Sequence, residues 1–228
     1  ETSHGLFASD AAMDKAKQKT LRSGFLDGSD IIKAFSWVQP NELVWKYWIN
    51  NYLLGLAPPA LEVMYWSSDC TRIPARLHSD LLDIQAGNLF TKPGQLKILG
   101  QAIDLSQVCC DKYVVAGSKD HISPWTLSYE TARLFGGEFE FVLNLSGHVP
   151  TILNPPGNPK AKFIVGSRTA DDVHLSVEQG ELVNESWWPH WQKWLACRSG
   201  KLKSAKKTLG NKRFPPGTPA PGKYVLEP

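Results

Sequence analysis

The sequence predicts an α/β domain, and three observations predict it. KYVVAG (112–117) and FEFVLN (139–144) are compact β-type runs rich in β-branched and aromatic residues. Between them, SPWTLSYETARLFGG (123–137) reads as a helix with Ser123 at the N-cap, Pro124 at N1 and a Gly136-Gly137 stop. Both β runs end in short loops carrying reactive side chains, Gly117-Ser118-Lys119-Asp120-His121 and Ser146-Gly147-His148. A strand–helix–strand succession implies parallel strands in one sheet, with functional groups gathered beyond their carboxyl ends.

The preceding half reads as helical. Residues 9–37 carry a helical pattern broken at Gly24, with Ser9 and Asp10 as N-cap candidates. Gln39-Pro40-Asn41 signals a further helix start. ELVWKYWINNYLLG (42–55) is apolar on more than one helical stripe, so it is expected to be buried on most sides or paired with another subunit. Gly55 suits the C′ position, and Pro58-Pro59 stops the helix. Another helix is expected around 75–86, then short LKILG and AIDLSQV runs separated at Gly100. After Pro155-Pro156-Gly157-Asn158-Pro159 the chain reads as loop-rich until a final aromatic helix, SWWPHWQKWL (186–195). These signals divide the chain into 1–95, mostly helical; 96–197, of α/β pattern; and 198–228, a basic, Pro/Gly-rich tail.

Bulk properties exclude several classes. A net charge of +3 lacks the basic surplus that phosphate binding needs, so nucleic acid is not an expected partner. No run reaches the roughly 18–20 apolar residues of a membrane span. The start lacks the apolar core of a signal peptide. Cys70, Cys109, Cys110 and Cys197 form no C-x-x-C pair, which argues against a zinc ribbon and fits a reduced cytosolic compartment. Cys109 and Cys110, just before a strand, are expected to be buried thiols.

The two loops carry the chemistry. Strand–loop–Asp, helix, strand–loop–His is the order of the last two members of an α/β-hydrolase triad. A histidine base needs one ring nitrogen facing the nucleophile and the other donating to a carboxylate. Asp120 and His148 fill those roles, with Gly147 freeing the backbone to turn before His148. Alone, Asp120 also fits an N-cap or turn and Gly-His a structural loop; their combination carries the reading. No G-x-S-x-G elbow, nor its cysteine equivalent, occurs in the chain.

Several runs resemble the catalytic domain of polyhydroxyalkanoate synthases: PNELVW (40–45), NNYLLG (50–55), YWSSDCTR (65–72), DHISPW (120–125), SGH (146–148), NPPGNPK (154–160), SWWP (186–189) and PAPGKYV (219–225). The pattern is most similar to the subclass for medium-length side chains. The resemblance implies the C-terminal portion of an α/β-hydrolase fold with a helical cap subdomain, the early strands and nucleophile elbow lying outside this chain. It implies polymerisation of (R)-3-hydroxyacyl-CoA with release of CoA, through a Cys-His-Asp triad. Here Asp120 is the acid, His148 the base, and the cysteine lies upstream. His121 and Asp69 match family positions and are possible supporting residues.

The resemblance implies no cofactor, the coenzyme A thioester being substrate. It implies a homodimer and a cytoplasmic protein associated with polyester granules. Without the nucleophile, the chain alone is expected to be inactive, and without the early strands to be poorly soluble or dimeric. Two other readings remain open from the residues: a serine-type esterase or polyester depolymerase, and a non-catalytic granule-associated or dimerisation module.

Overall fold

The computed structural model describes residues 9–38, 44–58, 70–166, 172–220 and 222–223. It divides into two compact units: Glu1–Lys112 with Thr131–Glu138, and Tyr113–Glu130 with Phe139–Pro228.

In the first unit, helix α1 (Asp10–Ser23) begins at Ser9, whose hydroxyl accepts from the Ala12 N–H. It ends at Gly24, which adopts a left-handed φ of 80° as a helix-terminating glycine does. Strand β1 (Phe25–Leu26) leads into α2 (Gly28–Val38) and pairs antiparallel with β2 (Ile73–Pro74). Helix α4 (Ala75–Gly87), where sequence periodicity predicts a helix, packs on α1, with Thr20 hydrogen-bonded to His78 at 3.1 Å. Strands β3 (Lys97–Ile98) and β4 (Gln101–Ala102) form a hairpin whose turn residues, Leu99 and Gly100, both have positive φ. That is the primed turn that matches strand twist.

Of the two alternatives expected for the aromatic segment, burial on most sides does not hold. The segment forms a π-helical turn, α3 (Trp48–Leu53), with Leu54 N–H bonded to Ile49 O. It is not buried within this chain: Trp48 is 50% and Tyr52 70% exposed, and Trp45, Ile49, Leu53 and Leu54 are exposed too. Its apolar residues face several directions, and one small unit cannot cover them all. The expected helix start at Gln39-Pro40-Asn41 lies outside the described residues. Cys109 and Cys110 are exposed rather than buried, because they sit in the irregular stretch before the next strand.

The second unit holds a four-stranded sheet in the order β5 (Lys112–Gly117), β6 (Phe139–Asn144), β7 (Phe163–Val165), β8 (Glu181–Val183). Lys112 N–H bonds Glu138 O and Ser118 N–H bonds Asn144 O. The separation is the same in both (138 − 112 = 144 − 118 = 26), which makes β5 and β6 parallel. The parallel expectation stops there: β7 runs antiparallel to β6, and β8 antiparallel to β7. Both lie in the stretch predicted as loop, since three-residue strands leave almost no periodicity to read.

Side-chain alternation assigns the faces. Phe141, Leu143 and Ala116 pack with Tyr129 of α5 (Trp125–Leu134) and Val173 of α7 (Val173–Glu178). On the other face, Phe163 and Tyr113 meet His190 of α8 (Trp187–Ala196), and Tyr113 also meets Trp194. Covered on both faces, β6 is buried from Glu140 to Asn144. α5 starts one residue later than the capping signals predict: Pro124 O accepts from Leu127 and Ser128 N–H, so Pro124 is the cap rather than N1. After α8, residues 198–220 are irregular and exposed.

Candidate active site

The two reactive loops are held side by side by main-chain bonds. Ser118 N–H bonds Asn144 O at 2.8 Å and Lys119 N–H bonds Ser146 O at 3.0 Å, extending the β5–β6 pairing past the strand ends. Asp120 N–H then bonds Gly117 O at 3.1 Å, closing a turn. This needs a glycine at 117, because a Cβ there would stand 2.3 Å from Thr151 Oγ1 and 2.9 Å from Ser146 O.

Asp120 uses both carboxylate oxygens. Oδ1 accepts from the Ile122 and Ser123 N–H groups, each at 2.9 Å, which fixes the side chain against its own loop. Oδ2 lies 2.8 Å from His148 Nδ1. The Asp120 side chain is 9% exposed and that of His148 44%. Burial by itself raises the Asp120 pKa. The Ser123 N–H, the His148 hydrogen bond, the Ile122 N–H and the attraction to His148 together outweigh it, holding the carboxyl below its ordinary value.

His148 is the first residue of a short helix, α6 (His148–Ile152). Gly147 does not supply the sharp turn expected of it. Its φ of −86° and ψ of −173° are extended backbone open to any residue, and a Cβ there would meet Lys119 O at an ordinary 3.6 Å. The close approach falls at Gly117 instead.

Beneath α6 lies a polar layer that sequence reading missed. Ser146 Oγ donates to Asn144 Oδ1 at 2.9 Å and lies 3.2 Å from Thr151 Oγ1. Asn144 and Thr151 are buried. Trp187 Nε1 donates to Thr151 O, Trp188 Nε1 to Ile152 O, and the buried Ser186 hydroxyl to Asn154 O. An Asn closing an apolar strand was the available signal, since a buried amide demands partners. On the same side, the Tyr113 hydroxyl lies 2.8 Å from His190 Nδ1, and burial, with the Glu140 charge second, pushes the phenol's pKa up.

Of the other site residues read from sequence, His121 is exposed on the Asp120 loop, and it is Asp120 that meets His148. Asp69 lies outside the described residues. Among the described residues no group of three His, Cys, Asp or Glu side chains could hold a metal ion, and no helix is long and apolar enough to cross a membrane.

Two proteins of Ectopseudomonas oleovorans, poly(3-hydroxyalkanoate) polymerases 1 and 2, are each 46% identical to this chain, over 97% and 99% of its length. The chain is a homologue of the poly(3-hydroxyalkanoate) polymerases. It spans 40% of the length of each of those two polymerases. The poly(3-hydroxyalkanoate) polymerase subunit of Cupriavidus necator is 32% identical over 88% of the chain, a span that is 34% of that polymerase. No protein-family model matches the sequence.

Proposed function

We propose that this chain supplies the acid and base of an acyltransferase that joins (R)-3-hydroxyacyl units from coenzyme A thioesters into polyester, with release of CoA. The Asp120–His148 pair, 2.8 Å apart, carries the reading. The polymerase homology supports the acyl chemistry, and the pair is suited to the proton transfers that chemistry needs.

Donation from Nδ1–H to Asp120 leaves the Nε2 lone pair as the base, on a ring 44% exposed and open to a reactant. Nε2 takes the proton of a cysteine thiol supplied by polymerase sequence outside this chain, and Asp120 stabilises the imidazolium that results. The thiolate attacks the thioester carbonyl, the carbon–sulfur bond to coenzyme A breaks, and the departing thiolate takes the proton back from Nε2. A second cycle takes the proton of the 3-hydroxyl of one unit as its oxygen attacks the acyl–cysteine thioester of another; the carbon–sulfur bond breaks, and the freed cysteine thiolate takes the proton from Nε2. No cofactor enters this scheme.

In this reading the early strands of an α/β-hydrolase fold pair beside β5, and the position of β5 as the terminal strand of the described sheet supports it. The homodimer, the granule surface and the cap role of the first unit are part of the same proposal. The exposed aromatic face of α3 supports a partner surface there.

The experiment is CoA release by the complete polymerase bearing Asp120→Asn or His148→Gln. The proposal expects losses on the order of 10²–10⁴-fold. Wild-type turnover in either variant would remove both residues from the reaction.

A further inference from the structure

The sequence makes residues 186–188 the start of an aromatic helix. In the structure they have a specific target: three consecutive side chains donate to carbonyls at the end of the histidine helix and just beyond it. Ser186 Oγ donates to Asn154 O, Trp187 Nε1 to Thr151 O at 2.8 Å, and Trp188 Nε1 to Ile152 O at 3.1 Å. The Ser186 hydroxyl also accepts from Trp188 N–H, which fixes the start of α8.

α6 has five residues, too few to stay helical by itself. The last carbonyls of any helix lack partners within it. In α6 two of these carbonyls are satisfied by indole N–H groups. With a 44% exposed side chain, His148 has little packing to hold its ring, so its place on Asp120 depends on where the α6 backbone is held. Ser146 and Thr151 brace one side of that backbone and the indoles brace its C-terminal end.

We propose that Trp187 and Trp188 are positioning residues for His148: their indole N–H groups clamp the end of α6 so that the imidazole stays seated on Asp120. The inference about the reaction rests on reading His148 as the base. The inference about geometry does not.

A phenylalanine keeps the ring and loses the donor. The test is therefore the Trp187→Phe/Trp188→Phe double variant of this chain, with Trp191→Phe as control, since Trp191 lies one turn further along α8. The readout is the tautomer of His148, taken from its two ring-nitrogen shifts above the imidazole titration range. The wild type and the control are expected to hold the proton on Nδ1, and the double variant to show a mixed population. An unchanged Nδ1–H tautomer in a folded double variant would overturn the clamp. Should the double variant not fold, the Trp188→Phe single variant, whose ring is only partly buried, decides by the same readout.

In the complete polymerase the double variant is expected to lower kcat about ten- to hundredfold with KM little changed. If the tautomer shifts while His148→Gln leaves turnover intact, the clamp stands and the base assignment fails. If His148→Gln abolishes turnover while the double variant shifts neither tautomer nor kcat, the clamp fails and the base stands.

Discussion

Gly117 lies so close to Thr151 that a Cβ built on it would stand 2.3 Å from the threonine hydroxyl. The loop bearing Asp120 and the helix bearing His148 thus touch through the one residue type with no side chain to separate them. Gly117→Ala is expected to cost about 1–3 kcal/mol through overpacking, because Thr151 is buried and cannot retreat. Gly147→Ala, in extended backbone with room for a methyl group, should change stability by less than about 0.5 kcal/mol. Urea unfolding of the two variants tests the contrast. Equal costs would contradict it.

The Asp120 carboxyl sits below its ordinary pKa in the folded chain. A carboxylate shifted this way stabilises the fold above its unfolded pKa, about 3.9, and loses that contribution as pH falls through the folded value. The stability gap between wild type and Asp120→Asn should therefore be widest near neutral pH and shrink below about pH 4. Unfolding at pH 7, 4 and 3 measures it. A gap that grows on acidification would reverse the sign.

Phe163 is 0% exposed, lying between strands and against the His190 ring. Phe163→Ala is expected to cost about 3–5 kcal/mol, the usual loss for an aromatic side chain in a packed core. Thermal unfolding reads the loss directly. A melting temperature within a degree of wild type would place α8 elsewhere than on this sheet.

The four cysteines are exposed and form no disulfide among the described residues, and none stands in an elbow sequence. Incubating this 228-residue chain alone with labelled (R)-3-hydroxyacyl-CoA should leave no covalent acyl label after denaturation. A thioester label on any of Cys70, Cys109, Cys110 or Cys197 would contradict a nucleophile outside the chain.

The two strands flanking the site were legible in the sequence because each is six residues long and rich in β-branched and aromatic residues; β5 and β6 fall on the runs read from it. The Asp120 and His148 loops were legible for the same reason, as the polar residues that follow those strands. β7 and β8 were not, since three residues hold barely one period of alternation. Burial is the one of the two alternatives for α3 that fails, because apolar content sets how much surface a segment needs covered, not whether this chain covers it. Gly147 was credited with a role that belongs to Gly117. The sequence shows where glycines are, whereas the close contact with Thr151 exists only after folding. The indole donors escaped notice because Trp reads first as apolar bulk, and its single N–H counts only once a carbonyl stands opposite.

In the proposed reaction His148, seated on Asp120, generates the nucleophile. The most direct measurement is the single-turnover rate at which the complete polymerase becomes acylated by (R)-3-hydroxyacyl-CoA, compared between wild type and His148→Gln at neutral pH. In His148→Gln acylation is expected to slow on the order of 10²–10⁴-fold, with the CoA thioester still bound. Acylation at the wild-type rate would contradict it.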